Sequence, residues 1–139
     1  MRTLYPVICS DRLSESRDFY TRLFDLKAVF DDPTFYVLLQ SPRDADVQLA
    51  FVHRSHDSVP SAFQQPPRGL LVTIEVPSAD TLYERATAFG VPIAQELRDE
   101  EFGQRHFMTV DPNGLLVDVV EIIPFAPAFA ERYGLAGGE

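Results

Sequence analysis

The hydrophobic positions along the chain predict two β-hairpins of similar design. Residues 107–110 and 115–120 are rich in β-branched and aromatic side chains and flank the run Asp111-Pro112-Asn113-Gly114. Such a run is typical of a tight turn, because proline presets φ and glycine accepts a positive φ. Residues 35–40 and 47–52 flank a polar loop in the same way. The sequence therefore predicts two hairpins of similar design.

An amphipathic helix is predicted upstream of each hairpin. The apolar residues at helical spacing are Phe19, Tyr20, Leu23 and Phe24 in the first helix and Ala79, Leu82, Tyr83, Ala86 and Phe89 in the second. Residues 10–14 offer N-capping side chains to the first helix. Ser78 is placed to cap the second, and Gly90 suits the left-handed conformation that ends it. Short strands are predicted at 4–9, 27–30, 70–76 and 91–95, and an acidic loop at 96–102.

The element order is strand, helix and three strands, and it occurs twice. We therefore predict an α+β fold of two βαβββ modules in a single domain spanning 1–139. Module one covers about 4–52 and module two about 69–123. A proline-rich linker at 53–68 separates them, and a tail at 124–139 follows.

Charge and composition exclude several classes of function. The formal net charge of −9 argues against nucleic acid and anionic membranes as partners, since both require clustered Lys and Arg. No apolar run approaches the roughly 20 residues of a membrane helix, and the N-terminus lacks the apolar core of a signal peptide. We therefore expect a cytoplasmic protein. Cys9 is the one cysteine in the sequence, which excludes an intrachain disulfide.

Two stretches of sequence resemble a known family. Residues 10–20, which end in Phe19-Tyr20, and residues 103–107, which lead into Asp111-Pro112-Asn113-Gly114, are similar to the first helix and last hairpin of the vicinal oxygen chelate superfamily. That superfamily includes glyoxalases, extradiol dioxygenases, fosfomycin-resistance enzymes and bleomycin-resistance proteins. The resemblance covers about residues 4–123. It implies a curved, mostly antiparallel, cupped sheet around one cavity, with the helices outside.

In metal-using members of that superfamily, each module supplies one metal ligand from its first strand and one from its last. The resemblance places Tyr5, Gln48, Leu71 and Asp118 at these four positions. A divalent cation needs several convergent oxygen or nitrogen donors. This set offers one carboxylate, one amide, a phenol and an aliphatic side chain. We therefore expect no metal cofactor. The alternative is a divalent metal ion held by Gln48 and Asp118.

The last hairpin supplies further candidate residues. If Val110 pairs with Leu115 across the turn, Phe107 lies opposite Asp118, and Arg105 lies on the same side. Arg105 then either presents its guanidinium to a ligand carboxylate or phosphate, or forms a buried ion pair with Asp118. Both interpretations stay open at the level of sequence.

The histidines carry weaker signals. His53 and His56 have a His-x-x-His spacing but lie in a segment rich in helix breakers with no third ligand nearby, so we interpret them as solvated loop residues. His106 lies, by strand alternation, on the face opposite to Arg105 and Phe107. We interpret it as a packed or surface histidine, with the reservation that a register slip would reverse its face.

These observations favour a metal-independent protein of the bleomycin-resistance type, which sequesters a small molecule such as an antibiotic or a metabolite. The sequence has no nucleophile elbow and no phosphate-binding loop, so we assign no catalytic residue and favour a binding protein over an enzyme. The predicted ligand-binding residues are Tyr5, Tyr36, Gln48, Arg105, Phe107 and Asp118. The alternatives are a divalent-metal-dependent lyase, isomerase or dioxygenase of the same superfamily, and a domain that binds only another protein.

A homodimer is also expected. A small cupped sheet leaves strand edges and an apolar groove uncovered, and pairing of two copies covers both. Phe125, Phe129 and Tyr133 make the tail apolar enough to take part in such an interface. The expected partners are thus a small-molecule ligand and a second copy of the chain.

Overall fold

The computed structural model describes residues 1–135 and has the predicted α+β architecture. Module one contains β1 (Val7–Ser10), α1 (Leu13–Phe24), β2 (Lys27–Asp32), β3 (Tyr36–Gln40) and β4 (Gln48–His53). Module two contains β5 (Leu71–Glu75), α2 (Ala79–Phe89), β6 (Ile93–Glu100), β7 (Gln104–Val110) and β8 (Leu116–Ile122), and α3 (Pro127–Tyr133) follows it. The prediction of two βαβββ modules is confirmed. Residues 136–139 of the predicted tail lie outside the described residues.

The chain forms two compact units. The first comprises residues 1–70 and also residues 111–115, which connect β7 to β8. The second comprises residues 71–110 and 116–135. The segment between β4 and β5, with its short 3₁₀ helix (Ser61–Phe63), therefore belongs to the first unit.

The sheet of module one has the strand order β1-β4-β3-β2. β1 runs parallel to β4, and the other two pairs are antiparallel. α1 covers one face of this sheet, where the rings of Tyr20 and Phe51 lie 5.6 Å apart and Val37 is completely buried. Burial of each large apolar side chain contributes about 1.5–3 kcal/mol to holding the helix on the sheet. By strand alternation, Tyr36 and Gln48 lie on the other face.

The sheet of module two repeats this arrangement with the order β5-β8-β7-β6 and a parallel β5–β8 pair. α2 begins and ends as predicted: the Ser78 side chain accepts a hydrogen bond from the Thr81 backbone N–H at 3.2 Å, and Gly90 ends the helix at a φ of 70°. The helix packs on the face of the sheet that carries Phe107, whose ring lies 5.3 Å from that of Tyr83.

The predicted acidic loop at 96–102 is wrong, because β6 continues to Glu100. Arg98 and Asp99 pair with His106 and Arg105 of β7. The acidic residues of this segment therefore lie on an edge strand of the sheet, where charged side chains discourage pairing with other chains. None of the helices within residues 1–135 is long and apolar enough to span a membrane.

The loop between β7 and β8 is held in the first unit by the Asp111 carboxylate, which is only 4% exposed. Its Oδ2 accepts a hydrogen bond from the Tyr20 hydroxyl at 2.8 Å. Its Oδ1 accepts hydrogen bonds from the backbone N–H groups of Asn113 and Leu115 at 2.8 and 3.0 Å. The Asp-Pro-Asn-Gly run thus has a structural role besides turn formation, since one carboxylate orders the loop and binds α1.

Gly103, which connects β6 to β7, occupies a position that only glycine fits. Its φ is +85°, and an added Cβ would lie 2.9 Å from both Ile123 O and Cδ1 of Phe125. We expect Gly103→Ala to lower the free energy of unfolding by about 3 kcal/mol, through left-handed strain and overpacking together. Gly69→Ala is the matched control, because Gly69 has a φ of +69° with no atom within 4 Å of the added Cβ. It should lose only about 1 kcal/mol in urea unfolding, and equal losses in the two variants would contradict the packing account.

Candidate functional site

The register between β7 and β8 decides which side chains share a face, and it differs from the predicted register by one residue. Val110 pairs with Leu116, not with Leu115, and Asp118 lies opposite Met108, not Phe107. The reason lies in the loop, where the Asp111 N–H donates to the Leu115 carbonyl at 2.9 Å. That bond closes a three-residue loop that ends at Gly114 in the left-handed conformation, with a φ of +82°, a common hairpin arrangement.

This shift places Arg105 and Phe107 on the face that α2 covers, away from Asp118. Phe107 is completely buried. Arg105 Nε and Nη2 donate to the Asp99 carboxylate at 2.7 and 3.0 Å, and Nη1 donates to Asp80 of α2 at 3.3 Å. These carboxylates, Asp99 foremost, raise the pKa of Arg105. The predicted Arg105–Asp118 pair is therefore wrong, and Arg105 forms half-exposed ion pairs instead.

The partner of Asp118 is His106, on the face of the sheet that α2 does not cover. His106 Nδ1 lies 2.8 Å from Asp118 Oδ1, and His106 Nε2 lies 2.8 Å from Glu100 Oε2. His106 and Asp118 are 3% and 8% exposed. We call these three residues the imidazole cluster. When protonated, its ring donates one hydrogen bond to each carboxylate.

Electrostatics favour the protonated ring. Burial lowers the pKa of His106, but hydrogen bonds to Glu100 and Asp118 and the charges of both raise it further, so the net shift is upward. The same bond from His106, with a second from Arg98 Nε at 2.8 Å, lowers the pKa of Glu100. The imidazole cluster therefore places a ring whose protonated form is favoured between two carboxylates.

The donor set around Asp118 is poor for a metal ion. Thr73 of the neighbouring strand lies opposite Asp118, while Leu71, the residue at the implied ligand position, lies opposite Leu116. Asp118 Oδ1 is already engaged by His106. In the part of the chain that the structure describes, no group of three or more His, Cys, Asp or Glu side chains is arranged to hold a metal ion.

The first unit presents its own polar and aromatic face. Gln48 Oε1 is buried and has no hydrogen-bond partner among residues 1–135. Burial raises the pKa of Tyr36, and the neighbouring Tyr5 hydroxyl raises it further. The ring of Tyr36 lies 6.1 Å from that of Phe30 and 5.6 Å from that of Phe35. A buried amide oxygen without a partner therefore shares the sheet face with an aromatic cluster.

Of the two histidines interpreted as loop residues, His53 is instead the last residue of β4, and both have local partners. His53 Nδ1 is hydrogen-bonded to the Ser55 hydroxyl at 2.8 Å, and His56 Nδ1 to the Ser58 hydroxyl at 2.8 Å. The ring of His56 also packs on that of Phe35 at 4.4 Å. These contacts order the segment after β4 and bring no second metal-ligating side chain to either ring.

The structure thus separates the predicted site residues into three groups. Tyr5, Tyr36 and Gln48 belong to the first unit, and Asp118 belongs to the imidazole cluster of the second. Arg105 and Phe107 lie on the side of their sheet that α2 covers. His106 and Glu100 are the functional candidates that the sequence interpretation missed, although a shift of one residue in the hairpin register would have placed His106 on the face of Asp118.

The family comparison agrees with this architecture. The model of the Glyoxalase/Bleomycin resistance protein/Dioxygenase superfamily matches residues 2–119. No curated protein matches the sequence.

Solved structures share the fold at low sequence identity. TnmS3, an antibiotic binding protein from Streptomyces sp. CB03234, is 18% identical with a TM-score of 0.69, covering 88% of this chain and 96% of its own. Lactoylglutathione lyase from Agrobacterium tumefaciens is 21% identical with a TM-score of 0.66, covering 85% and 91%. A superfamily member from Sphaerobacter thermophilus DSM 20745 is 23% identical with a TM-score of 0.68, covering 87% and 97%.

Proposed function

We propose that this chain, which belongs to the Glyoxalase/Bleomycin resistance protein/Dioxygenase superfamily, binds and sequesters a small organic molecule without a metal ion. The observation that carries the proposal is the imidazole cluster, in which the Asp118 carboxylate is bonded to His106. The carboxylate that would serve as metal ligand in this module is thus neutralised by a side chain of the protein itself.

The charge of the imidazolium opposes a divalent cation at the same place. A cation bound to Asp118 would lie within a few ångströms of His106. Two unit charges at that distance repel by about 4 kcal/mol at the effective dielectric of a protein surface, and a divalent cation doubles this repulsion. Proton loss from His106 would relieve the repulsion, but the hydrogen bonds to Glu100 and Asp118 resist it. Leu71 offers no donor in compensation. A neutral or cationic organic group that hydrogen-bonds to the free oxygen of Asp118 fits this site better than a metal ion.

Gln48 supports a binding function in the first unit. A buried polar atom without a partner destabilises the free protein by about 1–3 kcal/mol. A ligand that donates an N–H or O–H group to Gln48 Oε1 would recover that energy on binding. The rings of Tyr5 and Tyr36 in the same unit would supply apolar contact area, and a mixture of apolar surface and a few polar groups is usual in small-molecule sites.

The solved structures that share this fold are compatible with the proposal but do not identify a ligand. One solved relative is called an antibiotic binding protein and another a lyase, and both share only the fold with this chain. An antibiotic or a metabolite with an aromatic body and a hydrogen-bond donor is the ligand class that the side chains favour. Arg105 and Phe107 take no part, because ion pairs and burial occupy them.

Substitution of Gln48 tests the proposal by separating stability from binding. We expect Gln48→Met to stabilise the free protein by about 1 kcal/mol, because an unsatisfied amide is removed, and to weaken ligand binding about tenfold. Gln40→Met is the matched control, because Gln40 is the cross-strand partner of Gln48 on the same face, and it should leave binding unchanged. Thermal unfolding of each variant, measured alone and in the presence of each member of a panel of aromatic antibiotics, gives both effects. Each measurement is made with and without a chelator.

Metal content decides between this proposal and a metalloenzyme. Protein purified without chelator should carry metal well below one ion per chain, and ligand-induced stabilisation should persist in the chelator. Stoichiometric zinc, iron, nickel or manganese that is lost in Gln48→Met and Asp118→Asn variants would overturn the proposal in favour of a lyase, isomerase or dioxygenase.

A homodimer is part of the same proposal. The rings of Phe125 and Phe129 stack at 5.7 Å, and those of Phe129 and Tyr133 lie 4.8 Å apart. Tyr133 and Phe102 at the ends of this cluster are 57% and 42% exposed, and an exposed aromatic patch is typical of an interface. Sedimentation velocity should show a dimer at micromolar concentration, and a monomer would contradict this part.

A further inference from the structure

A cavity of about 370 Å³ lies at the end of β1, and all of its lining residues belong to the first compact unit. Residues 9–12 form one wall, residues 112–114 another, and Arg54 and Pro66 complete it. Small-molecule sites occupy roughly 300–1,000 Å³, so this cavity has room for a compact metabolite. Neither Gln48 nor Asp118 lines it, and it is therefore distinct from the surfaces of the proposed function.

The lining of this cavity is positive although the chain carries a net charge of −9. Arg12 and Arg54 face a single carboxylate, that of Asp11. Arg54 Nε lies 3.5 Å from Asp11 Oδ2, a long contact that leaves most of the guanidinium donors available. Within residues 1–135, no carboxylate forms an ion pair with Arg12.

The floor of the cavity is held in place by hydrogen bonds. The Asn113 side-chain amide donates to Ser16 Oγ at 2.9 Å, and the Ser10 hydroxyl donates to the Asn113 carbonyl oxygen. Ser10 Oγ also accepts the Arg12 backbone N–H at 2.9 Å. The backbone that carries Arg12 is therefore fixed relative to the loop at 112–114, and a preorganised site loses less entropy on binding.

We propose that this cavity binds the carboxylate of a small organic acid through Arg12 and Arg54. A guanidinium donates two parallel hydrogen bonds to a carboxylate. The two guanidinium groups and the Asp11 carboxylate together carry one net positive charge, which the carboxylate of the ligand would balance. A phosphate dianion would bring an excess negative charge next to Asp11. Pro66 and Pro112 supply apolar surface for the body of the acid.

Titration with benzoate, monitored through the arginine Nε–Hε signals in NMR spectra, tests the proposal. Benzoate should shift the Arg12 and Arg54 signals saturably, and its affinity should fall at least about tenfold in the double variant Arg12→Gln/Arg54→Gln. Benzamide, which is neutral and has nearly the same shape, should cause no saturable shift. Added salt should weaken benzoate binding.

The double variant Arg43→Gln/Arg68→Gln is the control, since it changes the net charge equally and neither residue lines the cavity. It should bind benzoate like the parent chain. Equal weakening in both double variants, binding of benzamide, or no saturable shift would overturn the proposal. Inorganic phosphate binding more tightly than benzoate would overturn the assignment to a carboxylate. None of these outcomes depends on Gln48, so the proposed function is tested separately.

Discussion

Replacement of Asp111 by alanine is expected to lower the free energy of unfolding by about 3–5 kcal/mol, since several buried polar groups lose their partner together. The Tyr20 side chain is completely buried, and its hydroxyl donates to Asp111 Oδ2. Burial and the Asp111 charge raise the pKa of Tyr20, so the phenol stays protonated and remains a donor. Without the carboxylate, this hydroxyl and the N–H groups of Asn113 and Leu115 lose their acceptor.

The control for this prediction is Tyr20→Phe. It removes one donor and leaves Asp111 with its two backbone donors, so the loss should be only about 1–2 kcal/mol. The double variant should lose less free energy of unfolding than the two single variants combined, because it contains no Tyr20 hydroxyl that would be buried without an acceptor. Urea unfolding at pH 7 measures all three. A change of less than about 0.5 kcal/mol for Asp111→Ala, typical of surface substitutions, would refute the structural role of the carboxylate.

The local signals in the sequence predicted the elements well because their causes are local. Ser78 and Gly90 bound α2 as expected, since capping depends on neighbouring backbone groups alone. The start of α1 was less well predicted. The residue that precedes the helix is Arg12, which provides no side-chain cap. Ser10 Oγ accepts the Arg12 N–H, one residue before the helix, and its hydroxyl donates to Asn113, which is remote in sequence.

The candidate site was harder to predict because it depended on a single residue in a loop. The run Asp111-Pro112-Asn113-Gly114 is compatible with a four-residue turn closed by Val110 and Leu115, and also with a three-residue loop closed by Asp111 and Leu115. The carboxylate of Asp111 favours the second, since it accepts hydrogen bonds from the N–H groups of Asn113 in the loop and of Leu115, which closes it. A shift of one residue in the register moves every side chain of a strand to the opposite face relative to its partner strand. The incorrect register therefore made Arg105, and not His106, the predicted partner of Asp118.

Gln48 shows a different limit. Its position at the start of β4 followed from the hairpin pattern, and its candidate role from the resemblance to a family. The absence of a partner for its Oε1 among residues 1–135 depends on the packing of side chains from other strands, which no local pattern encodes. Buried polar atoms without partners are rare in folded proteins, so the physical reason for Gln48 to bind a ligand became apparent only in the structure.

The imidazole cluster makes stability depend on pH in a direction that its pKa shift fixes. The pKa of His106 is raised in the folded state above its ordinary value. A raised histidine pKa contributes stability that is fully present below about pH 6.5, the unfolded value, and is lost as pH rises through the folded pKa. The free energy of unfolding should therefore decline from pH 6 toward pH 9, relative to a variant that lacks the ring.

The variant that tests this dependence is His106→Gln. At pH 6 it should lower the free energy of unfolding by about 3 kcal/mol, because Asp118 is left buried with its charge poorly compensated. At pH 9 the loss should be smaller, because the unmodified ring is protonated to a smaller extent as pH rises. Urea unfolding across this range gives the difference at each pH. His53→Gln is the matched control at pH 6, since its ring is bonded to the Ser55 hydroxyl rather than to a carboxylate, and it should lower the free energy of unfolding by less than His106→Gln does.

A second substitution identifies the carboxylate responsible. Asp118→Asn removes the charge and keeps the shape, and it should reduce the pH dependence without abolishing it, because Glu100 still bonds to His106 Nε2 at 2.8 Å. The double variant with His106→Gln should lose less stability at pH 6 than the two single losses combined, since no buried charge is left without a partner. Additive losses would show that His106 and Asp118 stabilise the sheet independently. The protonated ring would then no longer account for the neutralisation of Asp118, and the case against a metal ion at this carboxylate would lose its main support.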